Sequence, residues 1–214
     1  MALTPMRAAI ARHMARAKQT VPHFYVSAEI DMEAVTAAAS AAGAGMSAAL
    51  IRATALTLVD EPGFNAHWTD EGPELREDVN VGVAIAVPGG LMAPAILGCD
   101  RLSTLEIGTA LRELAERTRA GRAKGSELTG ATFTLSNLGG HAVSSFSAIV
   151  NPPQVAILAT GRSTLRPAVV DGEVVPRRMM TATLSVDHRA LDGADAGRFL
   201  DRFKALMEAP GWLT

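Results

Sequence analysis

Near the start of the chain apolar residues recur every three or four positions, at Met6, Ile10, Met14 and Ala17, behind a Thr4-Pro5 pair that suits a helix start. After Val21-Pro22 the period changes to two. Phe24, Val26, Ala28 and Ile30 fall on one side and Tyr25, Ser27 and Glu29 on the other, as a half-buried strand requires. Asp31 is placed to cap a short helix reaching about Ala41. Gly43 and Gly45 break it, and Ser47 opens a second helix to about Val59 with Leu50, Ile51, Thr54 and Leu58 on one face. Residues 79–87 alternate β-branched residues with small or polar ones and predict one strand, closed by Pro88-Gly89-Gly90, with a further strand to Ile96.

Ser103-Thr104-Leu105-Glu106 has capping-box spacing and predicts a helix to Gly121, followed by a charged, loose linker from Arg122 to Gly130. Beyond Ala131 the pattern is β-rich. Strands are expected at 132–136, 148–150, 155–160, 168–175 with Asp171-Gly172 as a hairpin turn, and 181–186. A last helix runs from Gly193 to Glu208, stopped by Pro210-Gly211. Helices and strands mix without strict βαβ alternation, so the expected class is α+β, a sheet with helices packed to one face.

Composition narrows the function. Twenty Lys and Arg against 22 Asp and Glu leave no excess positive charge to meet a phosphate backbone, so nucleic acid is not an expected partner. The weakly polar stretches are interrupted by Pro and Gly, so no membrane span is expected, and the basic residues of the first 20 positions belong to a surface helix rather than a signal peptide. A single cysteine, Cys99, allows no intrachain disulfide, and the expected compartment is the cytoplasm. Residues 1–214 read as one domain. The unusual number is alanine, 39 of 214 residues, beside only six Phe, two Trp and one Tyr. Such a core looks short of large anchors, and contacts between subunits would have to supply part of the missing burial.

The sharpest candidate for chemistry is Asp187-His188-Arg189-Ala190-Leu191-Asp192-Gly193, where a strand ends and a helix begins. An unperturbed imidazole titrates near about 6.5, so His188 is suited to work as a general base. Asp192 can cap the next helix and shape the turn. A second feature, Thr132-Phe133-Thr134-Leu135-Ser136-Asn137-Leu138-Gly139-Gly140, delivers a hydroxyl and an amide into a glycine turn from which a developing oxyanion could be met. Ser136, His188 and Asp192 do not make a hydrolase triad in sequence terms, since the chain has no Gly-x-Ser-x-Gly elbow. His188 and Asp192 have no third ligand nearby for a metal. His23 and His67, beside aromatic residues, read as structural; His13 and His141 read as exposed, and Cys99 as passive.

Together these segments are recognisable. Met6-Arg7-Ala8-Ala9-Ile10-Ala11, Val21-Pro22-His23-Phe24-Tyr25, Asn65-Ala66-His67-Trp68, Gly90-Leu91-Met92-Ala93-Pro94, Phe133 to Gly139, Asn151-Pro152-Pro153-Gln154 and the His-x-x-x-Asp-Gly run at 188–193 occur in one order. In that order the chain resembles, nearly end to end, the catalytic domain of the dihydrolipoamide acyltransferases of 2-oxo acid dehydrogenase complexes, whose fold is that of chloramphenicol acetyltransferase. The resemblance implies that His188 abstracts a proton from the thiol of coenzyme A or dihydrolipoamide. It implies likewise that Ser136 stabilises the tetrahedral oxyanion and that Asp192 supports the loop. It also implies a homotrimer whose active-site channel takes His188 from one subunit and Ser136 from the next, with coenzyme A and lipoamide as substrates and no metal. The lipoyl group would arrive on another domain or chain, and partner dehydrogenase enzymes would bind through domains this chain does not carry.

Those lipoyl and subunit-binding domains are not found in these 214 residues, which suits either an excised catalytic domain behind an added Met1-Ala2 or a free-standing relative. The Ala/Gly-rich segment 37–46 and the Gly211-Trp212-Leu213-Thr214 end depart from the family pattern, so a trimer is expected more firmly than a larger cage of trimers. Two rival activities fit the same motifs: transfer of an acyl group to a small-molecule alcohol or amine, and a non-catalytic scaffold. Intact His188, Asp192 and Ser136 argue against the scaffold, and the Asn151-Pro152-Pro153 and Ser136-Asn137-Leu138-Gly139 runs favour lipoamide. If subunit contacts supply burial that a monomer lacks, dissociation and unfolding are coupled, and the unfolding midpoint rises with protein concentration; a folded, soluble monomer at micromolar concentration is the contrary result.

Overall fold

The computed structural model describes residues 4–213; the Met1-Ala2 start and Thr214 lie outside the described residues. Helix α1 (Pro5–Thr20) begins as its sequence requires, with the Thr4 hydroxyl accepting from the Arg7 N–H at 3.2 Å. Strand β1 (His23–Asp31) follows, then α2 (Glu33–Ala41) and α3 (Met46–Asp60). Next come five short strands, β2 (Ala66–Thr69), β3 (Gly72–Leu75), β4 (Val81–Val83), β5 (Ile85–Val87) and β6 (Gly90–Met92), and then β7 (Ala95–Ile96). Helices α4 (Thr104–Arg119) and α5 (Gly125–Thr129) precede β8 (Phe133–Asn137), β9 (Ala156–Thr160), β10 (Thr164–Val170), β11 (Glu173–Asp187) and α6 (Gly193–Glu208).

The main sheet has seven strands in the order β1-β11-β9-β8-β4-β7, with β10 paired to the first half of β11. It is mixed: β8 runs parallel to both β4 and β9, and the other pairings are antiparallel. Residues of α2, α3, α4 and α6 share one core with Ile30, Leu135, Leu158, Leu184 and Val186 from the sheet, so the expected α+β arrangement holds. Four of the six phenylalanines, Phe64, Phe133, Phe199 and Phe203, are fully buried. Phe199 stands between two of them, its ring 4.7 Å from Phe64 and 5.6 Å from Phe133, spacings at which aromatic pairs attract. The core is therefore not short of anchors. It concentrates its few aromatics at one point, and the buried alanines Ala48, Ala49, Ala53 and Ala55 let α3 pass close to its neighbours.

Several local expectations change in the folded chain. The alternation over 79–87 breaks at Ala84: β4 stays in the main sheet between β7 and β8, while β5 folds back on β6 as a separate hairpin. Alternation reads the same on both sides of such a break, so only the pairing partners reveal it. The strands expected at 168–175 and 181–186 are parts of the β10–β11 ribbon, and β11 runs unbroken for fifteen residues. Pro176 lies opposite Pro167 where the ribbon is only two strands wide, so its missing N–H breaks no inner ladder. Asp171 (φ 52°) and Gly172 (φ 86°) form the hairpin turn as expected, both with the positive φ a tight turn needs.

Residues 148–150 are not a strand, because the Val150 N–H donates to the His23 ring instead of to a ladder. The linker 122–130 is not loose either; Glu127 is buried, accepts from the Lys124 N–H and pairs with Arg117 at 2.5 Å, which winds α5. Asp31 accepts from the Glu33 N–H, but Met32 occupies the cap of α2, and Gly45 rather than Ser47 caps α3. The β2–β3 hairpin carries no alternation and was not expected. Among the described residues no single helix is long and apolar enough to cross a membrane. Replacing Phe199 by Ala should cost about 3–5 kcal/mol in urea unfolding, since the truncation leaves a cavity at the aromatic cluster; a loss under about 1 kcal/mol would show that the cluster is not the anchor of the core.

Candidate active site

Strand β11 ends at Asp187, whose side chain is 1% exposed. The next residue but one turns back on it: Arg189 Nε and Nη2 donate to the two carboxylate oxygens at 2.9 and 2.6 Å, and the Arg189 N–H donates to Oδ1 at 3.1 Å. Between them His188 points out into solvent. Its N–H donates to the Pro22 carbonyl at 3.0 Å and its ring lies 4.5 Å from the Phe24 ring. Among the described residues no hydrogen bond claims either ring nitrogen, so the imidazole is held by packing on Phe24. The Asp192 carboxylate does not reach His188. It accepts from the Ala194 and Asp195 N–H groups at 2.8 and 3.0 Å, capping α6 while Asp195 reciprocates. Those bonds hold its pKa below the usual carboxylate range, so Asp192 is a loop-fixing anion.

Ser136 sits half-buried near the end of β8. The Asn137 amide beside it closes the glycine turn, its Oδ1 accepting from the Gly139 N–H at 2.8 Å, while its Nδ2 donates to the Ser47 hydroxyl at 3.5 Å. Sheet register fixes how far Ser136 lies from His188. Ser136 is level with Ala159 of β9, which is level with Thr183 of β11. His188 is five residues further along, at the opposite end of the strand, and two strands across. At about 3.3 Å per residue and 4.8 Å per strand, the two are about 19 Å apart. One chain cannot bring both side chains to the same carbonyl.

The other histidines are structural, as expected, or peripheral. His23 Nδ1 lies 2.8 Å from the Val21 carbonyl and Nε2 accepts from the Val150 N–H at 3.0 Å, which assigns the neutral tautomer with the proton on Nδ1. His67 lies 3.2 Å from the Ala131 carbonyl. Burial pushes the pKa of both below the usual histidine value. His13 and His141 are exposed, although His13 bonds Asn151 at 2.8 Å. Cys99 is buried with its thiol pushed up to about 12 by desolvation, so it is no nucleophile at neutral pH. Among the described residues no group of three His, Cys, Asp or Glu side chains could hold a metal ion.

Sequence reasoning passed over Asp187, Arg189 and Trp68 as site residues. The guanidinium of Arg189 lies 4.3 Å from the centroid of the Trp68 ring, and the two residues line a cleft of about 640 Å³ with Asp187, Gln154, Arg16 and Asp70. Neither His188 nor Ser136 lines that cleft. The signal was available in the Asp-His-Arg adjacency, but the hairpin that brings Trp68 there was not.

Residues 1–214 match the model of the 2-oxoacid dehydrogenases acyltransferase catalytic domain. This chain belongs to that acyltransferase family. It is 36% identical over 218 residues to the dihydrolipoyllysine-residue acetyltransferase component of the Rhizobium meliloti pyruvate dehydrogenase complex, covering 96% of this chain and 49% of the relative. The chain thus spans about half the length of the curated relatives it matches. Among solved structures, the cubic core of a pyruvate dehydrogenase multienzyme complex superposes with TM-score 0.91 at 31% identity, covering 98% and 91% of the two chains. The same values hold for Azotobacter vinelandii dihydrolipoamide acetyltransferase, in which a serine, a histidine and an asparagine were studied for their role in the catalytic mechanism. Chloramphenicol acetyltransferase, at 13% identity and TM-score 0.65 with 92% and 94% coverage, shares the fold. The α+β assignment to that fold therefore stands, as does family membership.

The neutral rings of His23 and His67 make stability depend on pH. Each has a folded pKa below its ordinary 6.5, so the unfolded chain binds more protons between the two values. Their contribution is complete above about pH 6.5 and is lost as pH falls towards the lowered folded values. Thermal midpoints should fall on acidification through this window, and His23→Gln, which keeps a donor and an acceptor without titrating, should flatten the fall; an unchanged slope would contradict the assigned role of His23.

Proposed function

We propose that residues 1–214 form one acyltransferase catalytic domain that moves an acyl group between dihydrolipoamide and coenzyme A, in a homotrimer whose active sites lie between subunits. The observation that carries this reading is the separation of about 19 Å between Ser136 and His188 set by the register. A serine and a histidine that act on one carbonyl must then come from two copies. Ser136, His188 and Asp192 are spaced along this chain as are the serine, histidine and asparagine studied in the Azotobacter vinelandii enzyme. Aspartate stands here where that protein has asparagine, and in this chain it is committed to the α6 cap, a supporting task.

The chemistry follows from the side chains. A thiol with a pKa near about 8.5 is mostly protonated at neutral pH, so His188 takes its proton as the sulfur attacks the thioester carbonyl of the other substrate. The carbonyl oxygen becomes an oxyanion that the partner subunit's Ser136 hydroxyl meets with a hydrogen bond. Collapse expels the second sulfur, which recovers the proton from the His188 imidazolium. No acyl-enzyme forms and no redox partner is consumed. The lipoyl group is carried by another domain or chain, and the match to a cubic core supports further assembly of the trimers into a cage. The buried, unpaired Cys99 suits a reducing compartment such as the cytoplasm.

His188→Ala should lower transfer from acyl-CoA to dihydrolipoamide by about 10²–10⁴-fold. Ser136→Ala should cost about 3 kcal/mol in kcat with substrate binding little altered. Refolding the two variants together tests the shared site, because a contact between a His188-bearing and a Ser136-bearing subunit restores a complete centre. Activity of about a quarter of the parental rate is expected from random mixing in a cyclic oligomer. No recovery on mixing would place both groups in one chain and overturn the proposal.

A further inference from the structure

We propose that the Asp187–Arg189 ion pair, braced by Trp68, is the positioning element for His188, an inference that rests on the reading of His188 as the general base. Catalytic imidazoles are commonly oriented by a carboxylate on the second ring nitrogen. No such group is present on His188 among the described residues, and Asp192 is committed to the α6 cap. Orientation must therefore come through the backbone and through packing on Phe24. The residues on either side of His188 are joined to each other. Asp187 accepts four hydrogen bonds from Arg189, three of them from the guanidinium, while its carbonyl accepts from the Ala190 and Leu191 N–H groups at 3.0 and 3.3 Å. This chelate closes a tight loop over residues 187–191 and leaves the His188 side chain one direction, outward past Phe24.

The brace reaches beyond the loop. The central carbon of the Arg189 guanidinium lies over the Trp68 ring, 4.3 Å from its centroid. The Trp68 backbone is itself tied down, its amide N–H donating to the Pro153 carbonyl at 2.6 Å and its neighbour His67 bridging to Gln154. The β2–β3 hairpin and the segment at 152–154 thus fix the outer face of the guanidinium while Asp187 fixes its inner edge. A buried carboxylate that served stability alone could be paired with any cation. The planar fork and flat face used here are specific to arginine.

The test separates positioning from stability. Arg189→Met strands a buried charge and should lower Tm by roughly 10 °C. Asp187→Asn combined with Arg189→Met removes both charges and should recover most of that loss. If the pair positions His188, kcat falls by about 10²-fold in the single variant and stays down in the double variant, with KM for both thiols unchanged. Arg189→Lys, which keeps the charge and loses the fork, should also leave kcat low. Recovery of kcat together with Tm in the double variant, or with Arg189→Lys, would reduce the pair to a structural role; a raised KM with kcat intact would make Arg189 a substrate contact. The carbon-13 signal of the His188 ring provides a readout independent of turnover. It should shift or broaden in the double variant, and an unchanged signal overturns the proposal. An inactive parental enzyme would instead count against the transferase reading, and the ring signal would then decide the positioning question by itself.

Discussion

Strand β11 is one uninterrupted ladder of fifteen residues, and its pairings set the position of almost everything that matters for chemistry. Its first half pairs with β10 as a two-stranded ribbon, and its second half lies between β1 and β9. Because backbone hydrogen bonds lock the register, Thr183 is held level with Ser136 two strands away, and His188 is carried to the far end of the sheet. A one-residue slip would exchange the faces of Leu184 and Ser185, both buried, and put a hydroxyl where Leu184 now packs in the main core. The burial of β11 and the separation of Ser136 from His188 are therefore consequences of the same ladder.

The core supports this ladder with few large side chains. Phe64, Phe133 and Phe199 meet where α6, the segment after α3 and β8 converge, and alanines on α3 keep the helices close to that point. Buried area thus depends on close approach as much as on side-chain size. The scarcity of aromatics suggests that subunit contacts supply part of the burial. The aromatic cluster shows that one chain has a dense centre of its own, and under the proposed mechanism the separation of Ser136 from His188 supplies a different reason for assembly, one of chemistry.

At the end of β11 the charges are arranged for geometry. Asp187 is buried and paired, Asp192 is exposed and spent on a helix cap, and His188 between them carries no side-chain bond. Two carboxylates within four residues of one imidazole would ordinarily suggest a charge relay. Here each is taken by other donors, and their effect on His188 passes through the backbone they hold.

Much of this was legible along the chain. Thr4-Pro5, the Ser103–Glu106 capping box, the Asp171-Gly172 turn and the alternation of β1 are local signals, and each produced the element it specified because its energetics are settled within a few residues. Ser136, His188 and Asp192 were recognisable as candidates from motif order. The break at Ala84, the union of two expected strands into β11, the ordering of α5 by Glu127 and Arg117, and the hairpin that delivers Trp68 to Arg189 were not, since each depends on partners distant in sequence. Residue types and local periodicity determined which side chains could do chemistry. Only the tertiary structure decided which of them could meet, because sheet register converts sequence separation into distance, and here it places the serine and the histidine too far apart to serve a single chain.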